Sequence, residues 1–231
     1  MIFLKMKPVV YLLLLAMMLL PRALPAAETT LKLASDEWCP FICITGKQVS
    51  HGFLVDASKQ ILEQAEIKLT SLLLPLNRAM ILAQRGAIDG IYAPAISDRL
   101  FNSVPLTHSR ACFFVNQQTS WRYTGMKDLT RVTINVVDDY GYDGGSFDAY
   151  LNEAKKVGKT NVKFRTGDVA AKNNVQLLLK KRIEILLEHE AVMSQLLAEV
   201  TSEHQIRKAG CLAHPLPLVI GISKAHPDAS K

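Results

Sequence analysis

Two stretches of this chain alternate short strand-like runs with helix-period runs in the same order, and that alternation limits the fold more than any other feature. In the first, Leu31 and Leu33 alternate with Lys32 and Ala34, as in a strand with one buried face. Leu54, Val55, Ser58, Ile61, Leu62 and Ala65 then follow helical spacing. Ile67–Leu74 is an apolar strand, broken by Pro75. Asn77 is placed to cap a second helix, Arg78–Arg85, with Gly86 as its stop, before a strand at Ile88–Ala93. The order β-loop-α-β-α-β is that of a parallel sheet covered by helices.

The second stretch repeats the plan without sequence identity. Val132–Val137 reads as a strand, Phe147–Val157 as a helix and Val162–Arg165 as a strand. A helix from Gly167-Asp168 to about Lys180, a strand at Arg182–Glu188 and a helix at His189–Val200 follow. Between the two units, Val104–Val115 is extended and carries little helical signal. Leu216–Ile222 is a last strand. The expectation is an α/β fold of two lobes, each a mostly parallel sheet with flanking helices, joined by two crossing strands near residue 110 and near Leu212–Leu218. Two crossings form a hinge that can close on a ligand. The expected division is 1–27 leader, 28–110 first lobe, 111–212 second lobe, and 213–231 returning to the first lobe.

The leader is read from its own pattern. Lys5 and Lys7 precede Val9–Leu20, an apolar run of about a dozen residues, too short for a ~30 Å hydrocarbon core. Small residues to Ala27 follow, as in a secretory signal peptide cut near Ala26 or Ala27, with an uncleaved anchor as the alternative. Without Lys5, Lys7 and Arg22 the net charge falls from +6 to +3. With no basic stripe interleaved with aromatics, nucleic acid is not an expected partner. The four cysteines, Cys39, Cys43, Cys112 and Cys211, suit an oxidising compartment and allow three pairings. Cys39–Cys43 with Cys112–Cys211 is favoured, because it pins one loop and closes a long one. Cys-x-x-x-Cys is not the redox spacing, and no His pair lies near to complete a metal site.

The loop after the first strand is the candidate site. Asp36, Glu37, Trp38, Cys39, Pro40, Phe41 and Cys43 gather two acids, two aromatics and two thiols. Loops at the C-terminal ends of strands in open α/β sheets bind ligands. Trp38 and Phe41 read equally as core aromatics on the residues alone.

Set in order, SDEWCPF with GFLVD, LPLNRAM through RGAIDGIYAPAISDR, FFV, the Gly-containing loop after Val137, KRIEILLEHEAV and PLPLVIGISKAHP resemble the periplasmic solute-binding proteins of family 3, the polar amino acid type. The likeness runs from about Leu31 to Asp228. It implies the two-lobed type II periplasmic-binding-protein fold and a final helix after the SKAHP segment, so the chain reads as C-terminally short. It places Arg99 where an arginine grips a ligand carboxylate, a task suited to the planar, always-charged guanidinium fork. Asp36 and Trp38 then line the cleft, Ala95 stands near a hydroxyl position, and Arg78 reaches the cleft or merely sits in its helix. Leu76 replaces a stacking aromatic. Tyr140 and Tyr142 lie in the second-lobe loop, where N–H groups before a helix can hold an anion. His189, flanked by Glu188 and Glu190, stands where an acid usually pairs the ligand ammonium.

The implied function is periplasmic capture of a small polar, amino-acid-like solute by a monomer, for delivery to an ABC permease, without cofactor, metal or catalysis. The alternatives are a dehydratase-like enzyme using Glu188, His189 or Glu190 as acid and base, and a solute sensor.

Overall fold

The computed structural model describes residues 29–166, 169–200 and 203–227. The signal-peptide reading and the Gly167-Asp168 helix start lie outside them. The architecture is α/β and two-lobed. β1 (Thr30–Ser35) pairs in parallel with β4 (Lys68–Leu73) and with β5 (Gly90–Tyr92). β14 (Ile220–Ser223) joins β5 antiparallel and carries β6 (Leu100–Asn102) at the edge, giving the order β4-β1-β5-β14-β6. The second sheet runs β10-β9-β11-β8-β12. β9 (Ile134–Val137) is parallel to β10 (Val162–Arg165) and β11 (Ile185–His189), while β8 (Ala111–Asn116) is antiparallel to β11 and to β12 (Ile206–Cys211).

The crossings are themselves a small ribbon. β7 (Thr107–Ser109) pairs antiparallel with β13 (Leu216–Leu218), so the chain leaves the first sheet and returns to it side by side. A separate hairpin, β2 (Cys43–Thr45) and β3 (Gln48–His51), follows the first loop.

Helix α1 (Phe53–Gln64) turns Leu54, Val55 and Ser58 inward. Fully burying a side chain such as Leu54 stabilises by roughly 1.5–3 kcal/mol. α2 (Leu76–Gln84) buries Ala79 and Ala83. It starts one residue before Asn77, behind Pro75, whose missing N–H costs nothing at a helix entry; Asn77 is therefore not its cap. α3 (Ser146–Val157) buries Phe147, Leu151 and Ala154 and stops at the left-handed Gly158. α4 (Ala170–Leu179) and α5 (Glu190–Ala198) cover the other face of the second sheet. His189 ends β11 and precedes α5, so the strand is shifted toward the C-terminus relative to the periodicity reading. Arg182 and Glu184 are exposed and fall in the turn before it.

Both disulfides are those favoured from spacing, Cys39–Cys43 and Cys112–Cys211. The first fastens the loop after β1; the second joins neighbouring strands β8 and β12 at facing positions. Among the described residues, no helix is long and apolar enough to cross a membrane.

Candidate functional site: the interlobe cleft

The loop after β1 is built tightly. The Trp38 N–H donates to the Ile42 carbonyl at 2.8 Å, and the Phe41 and Ile42 N–H groups donate back to the Trp38 carbonyl at 3.0 Å each. Pro40 and Phe41 carbonyls accept from the N–H groups of Phe53 and Leu54, groups a helix start leaves without intrahelical partners. The loop thus hangs from α1 as well as from its disulfide. Gly52 is required at that joint: its φ is +116°, and a Cβ would meet the Phe41 carbonyl oxygen at 2.6 Å.

Trp38 is both core and cleft. Its ring lies 4.8 Å from Phe41, 4.8 Å from His189 and 6.0 Å from Tyr140, the last two edge-on. It lines a small inner pocket with Ser35, Asp36, Leu76, Ala93 and Tyr140. Outside that pocket, the lobes bound a cleft of about 730 Å³. Its first-lobe wall comes from α2 and the Ala95–Arg99 loop. Its second-lobe wall comes from the Val137–Gly145 loop and α3. That volume is within the range of small-molecule sites.

The sequence-derived candidates divide between these places. Asp36, Trp38 and Tyr140 meet at the inner pocket. Ala95 and Arg99 line the outer cleft with Tyr140. Arg99 is exposed, and its backbone N–H donates weakly to Ser97 Oγ at 3.4 Å. Arg78 is exposed on α2 and lines neither space.

Glu188 and His189 are wholly buried and also line neither space. The Gly141 carbonyl lies 2.9 Å from His189 Nε2, and a carbonyl can only accept, so Nε2 carries a proton. Burial pushes the His189 pKa down to about 4, so the ring is neutral at pH 7. Its Nδ1 then accepts from the Ser109 hydroxyl, 2.8 Å away. Tyr142 stacks on it at 5.6 Å. Glu188 Oε1 accepts from the His189 N–H at 2.8 Å; Oε2 has no bonded partner. Burial pushes this carboxyl up to about 7. The nearby Trp38 indole N–H favours its ionised form, although the two do not meet in a formed hydrogen bond.

The second-lobe loop also closes on itself. Asp143 accepts from the N–H groups of Gly145, Phe147 and Asp148, at 2.7 to 3.1 Å. Asp148 accepts from those of Tyr142 and Gly144. The Phe147 and Asp148 N–H groups in the first turn of α3 are thereby taken by the chain's own Asp143, which supplies a different role for this acidic loop from anion capture. Asp138 and Asp139 pair with Lys155. Ser109 and Gly141 went unsuspected in the sequence, since a serine and a backbone carbonyl carry no local mark of a partner 80 or 48 residues away.

No protein-family model matches the sequence, and no curated protein matches it. Solved structures do resemble it. An ancestral arginine-binding protein bound to arginine is 18% identical with a TM-score of 0.69, over 86% of each chain. A histidine kinase sensor domain with similarity to periplasmic binding proteins is 14% identical with a TM-score of 0.71, over 86% of this chain and 84% of that one. The ancestral amino-acid-binding protein AncCDT-1, a precursor of cyclohexadienyl dehydratase, is 17% identical with a TM-score of 0.62, over 86% and 84%. At such identities the likeness establishes the two-lobed periplasmic-binding-protein fold.

Proposed function

We propose that this protein captures a small polar solute, an amino acid or related carboxylate, between its lobes. The observation that carries this reading is the cleft of about 730 Å³ between two lobes whose chain crossings run side by side as the β7–β13 ribbon. Rotation about this ribbon opens and closes the cleft, and opening parts Trp38 and its first-lobe neighbours from His189 and Val192 of the second lobe. The solved relatives of this shape that hold arginine or bind amino acids support the same class of ligand.

In this reading Arg99 holds the carboxylate from the first lobe, Asp36, Trp38 and Ala95 surround the rest, and Tyr140 stands where the inner pocket meets the outer cleft. Glu188 and His189 act behind the site by packing against Trp38. Their burial gives no support to a role as acid and base, so binding is preferred to catalysis. Residues 1–27 export the chain to the periplasm, 28–110 and 213–231 form the first lobe and 111–212 the second. Delivery of the solute to an ABC permease completes the proposal. The likeness to a kinase sensor domain favours sensing as the second reading.

A thermal-shift screen of amino acids and small carboxylates tests the binding. At least one compound is expected to raise Tm, and Arg99→Ala is expected to remove that rise. A rise unchanged in the variant takes Arg99 out of the site. Permease and ATPase genes beside this one favour transport over sensing.

A further inference from the structure

We infer that Tyr140 is a resident occupant of the inner pocket, a side chain that fills the ligand's place and must leave before a solute can take it. Five observations converge on this residue. Its hydroxyl donates to Asp36 Oδ2 at 2.8 Å, a bond between lobes across 104 residues of sequence. Its ring meets Trp38 edge-on. It packs against the apolar clusters of both lobes. The space left in the inner pocket is about 20 Å³, roughly one water-sized probe. The same tyrosine also lines the much larger outer cleft. A phenol that bonds the other lobe's carboxylate and packs on the apolar clusters of both lobes is placed as a bound ligand would be.

The occupant sets terms for whatever displaces it. Asp36 loses the Tyr140 donor when that ring leaves, and giving up a hydrogen bond to a partly buried carboxylate is costly. A successful solute therefore returns a donor, such as an ammonium, amide or hydroxyl group, to Asp36. It also presents a compact apolar body to Trp38, Ile42 and Leu216, which line the pocket. That consequence for solutes rests on the binding reading above; the occupancy by Tyr140 does not.

The test uses p-cresol, which is the tyrosine side chain as a free molecule. Tyr140→Ala is expected to gain a saturable rise in Tm of about 3 °C or more with millimolar p-cresol, and the unaltered protein none. Toluene, which lacks the hydroxyl, is expected to give a smaller rise, and Asp36→Asn in the Tyr140→Ala background to remove the advantage of p-cresol. Equal shifts in both proteins, or none in the variant, overturn the inference. If Tyr140→Ala does not fold, Tyr140→Phe carries the test by hydrogen exchange. Losing the bond to Asp36 is expected to speed exchange of the 138–145 amides about tenfold or more, and unchanged rates overturn the inference. A screen in which no amino acid shifts the unaltered protein or Tyr140→Phe defeats the solute reading, while the p-cresol result still decides the occupancy.

Discussion

Replacing Glu188 with Gln isolates the electrostatics of the buried pair behind the cleft. In the fold, burial moves the Glu188 carboxyl from 4.5 to about 7. A raised pKa means that the stability associated with the protonated carboxyl is fully present below pH 4.5 and is lost as pH rises toward 7. At about 1.36 kcal/mol per pH unit, the loss over this window is about 3 kcal/mol. His189 runs the other way: its pKa falls from 6.5 to about 4, so its contribution is present above pH 6.5 and is lost as pH falls toward 4. Between about pH 4.5 and 6.5 the two slopes oppose and nearly cancel, since the folded pair carries its one proton on Glu188 and the unfolded pair carries it on His189. Glu188→Gln keeps the shape and removes one slope. Urea unfolding of both proteins at half-unit steps from pH 4.5 to 7.5 reads the difference. The variant is expected to gain stability relative to the unaltered protein by about 3 kcal/mol as pH rises across the window. A constant offset between the proteins, whatever its sign, would refute the placement of Glu188 in a desolvated site.

Other perturbations follow from the same structure. His189→Gln is expected to show the opposite relative slope, losing its advantage as pH rises from 4 to 6.5, in the same urea series. Removing the Cys112–Cys211 bridge with paired serines frees a loop of sequence separation 99 and is expected to cost about 4–5 kcal/mol, measured by chemical unfolding; a loss under 1 kcal/mol would contradict the loop-closure argument. Gly52→Ala forces a side chain into a left-handed φ and onto the Phe41 carbonyl, and is expected to lower stability by about 1–3 kcal/mol and to loosen the loop that carries Trp38, seen as a change in Trp fluorescence.

Much of this architecture was legible in the sequence because its causes are local. Helix and strand periods report which face of each element is apolar: in α1 Leu54, Val55 and Ser58 are buried as their spacing implies, although Ile61 on the same stripe is half exposed. The alternation of elements implied two α/β lobes, and the extended segments near 110 and 212–218 implied the crossings. Cysteine spacing favoured the bridges that the structure contains. Boundaries were less legible where a neighbour decides them. Asn77 looks like a cap, yet Pro75 starts the helix earlier. Arg182–Glu184 looks like strand, yet pairing with β8 begins only at Ile185.

Tertiary structure alone decided what the site residues do. The hydrogen-bond potential of a tyrosine, a histidine or an aspartate can be met by many partners, and sequence does not say which lies within 3 Å. Folding gave the Tyr140 hydroxyl to Asp36, the His189 ring to Ser109 and Gly141, and the N–H groups opening α3 to Asp143. It also withdrew Glu188 and His189 from solvent, which moves the pair's one proton from the imidazole to the carboxyl between about pH 4.5 and 6.5. Sequence determined where apolar surface had to go, because burial follows composition along each element. Which polar groups were left to meet across the lobes depended on the closure of the whole chain, and the cleft's character was settled there.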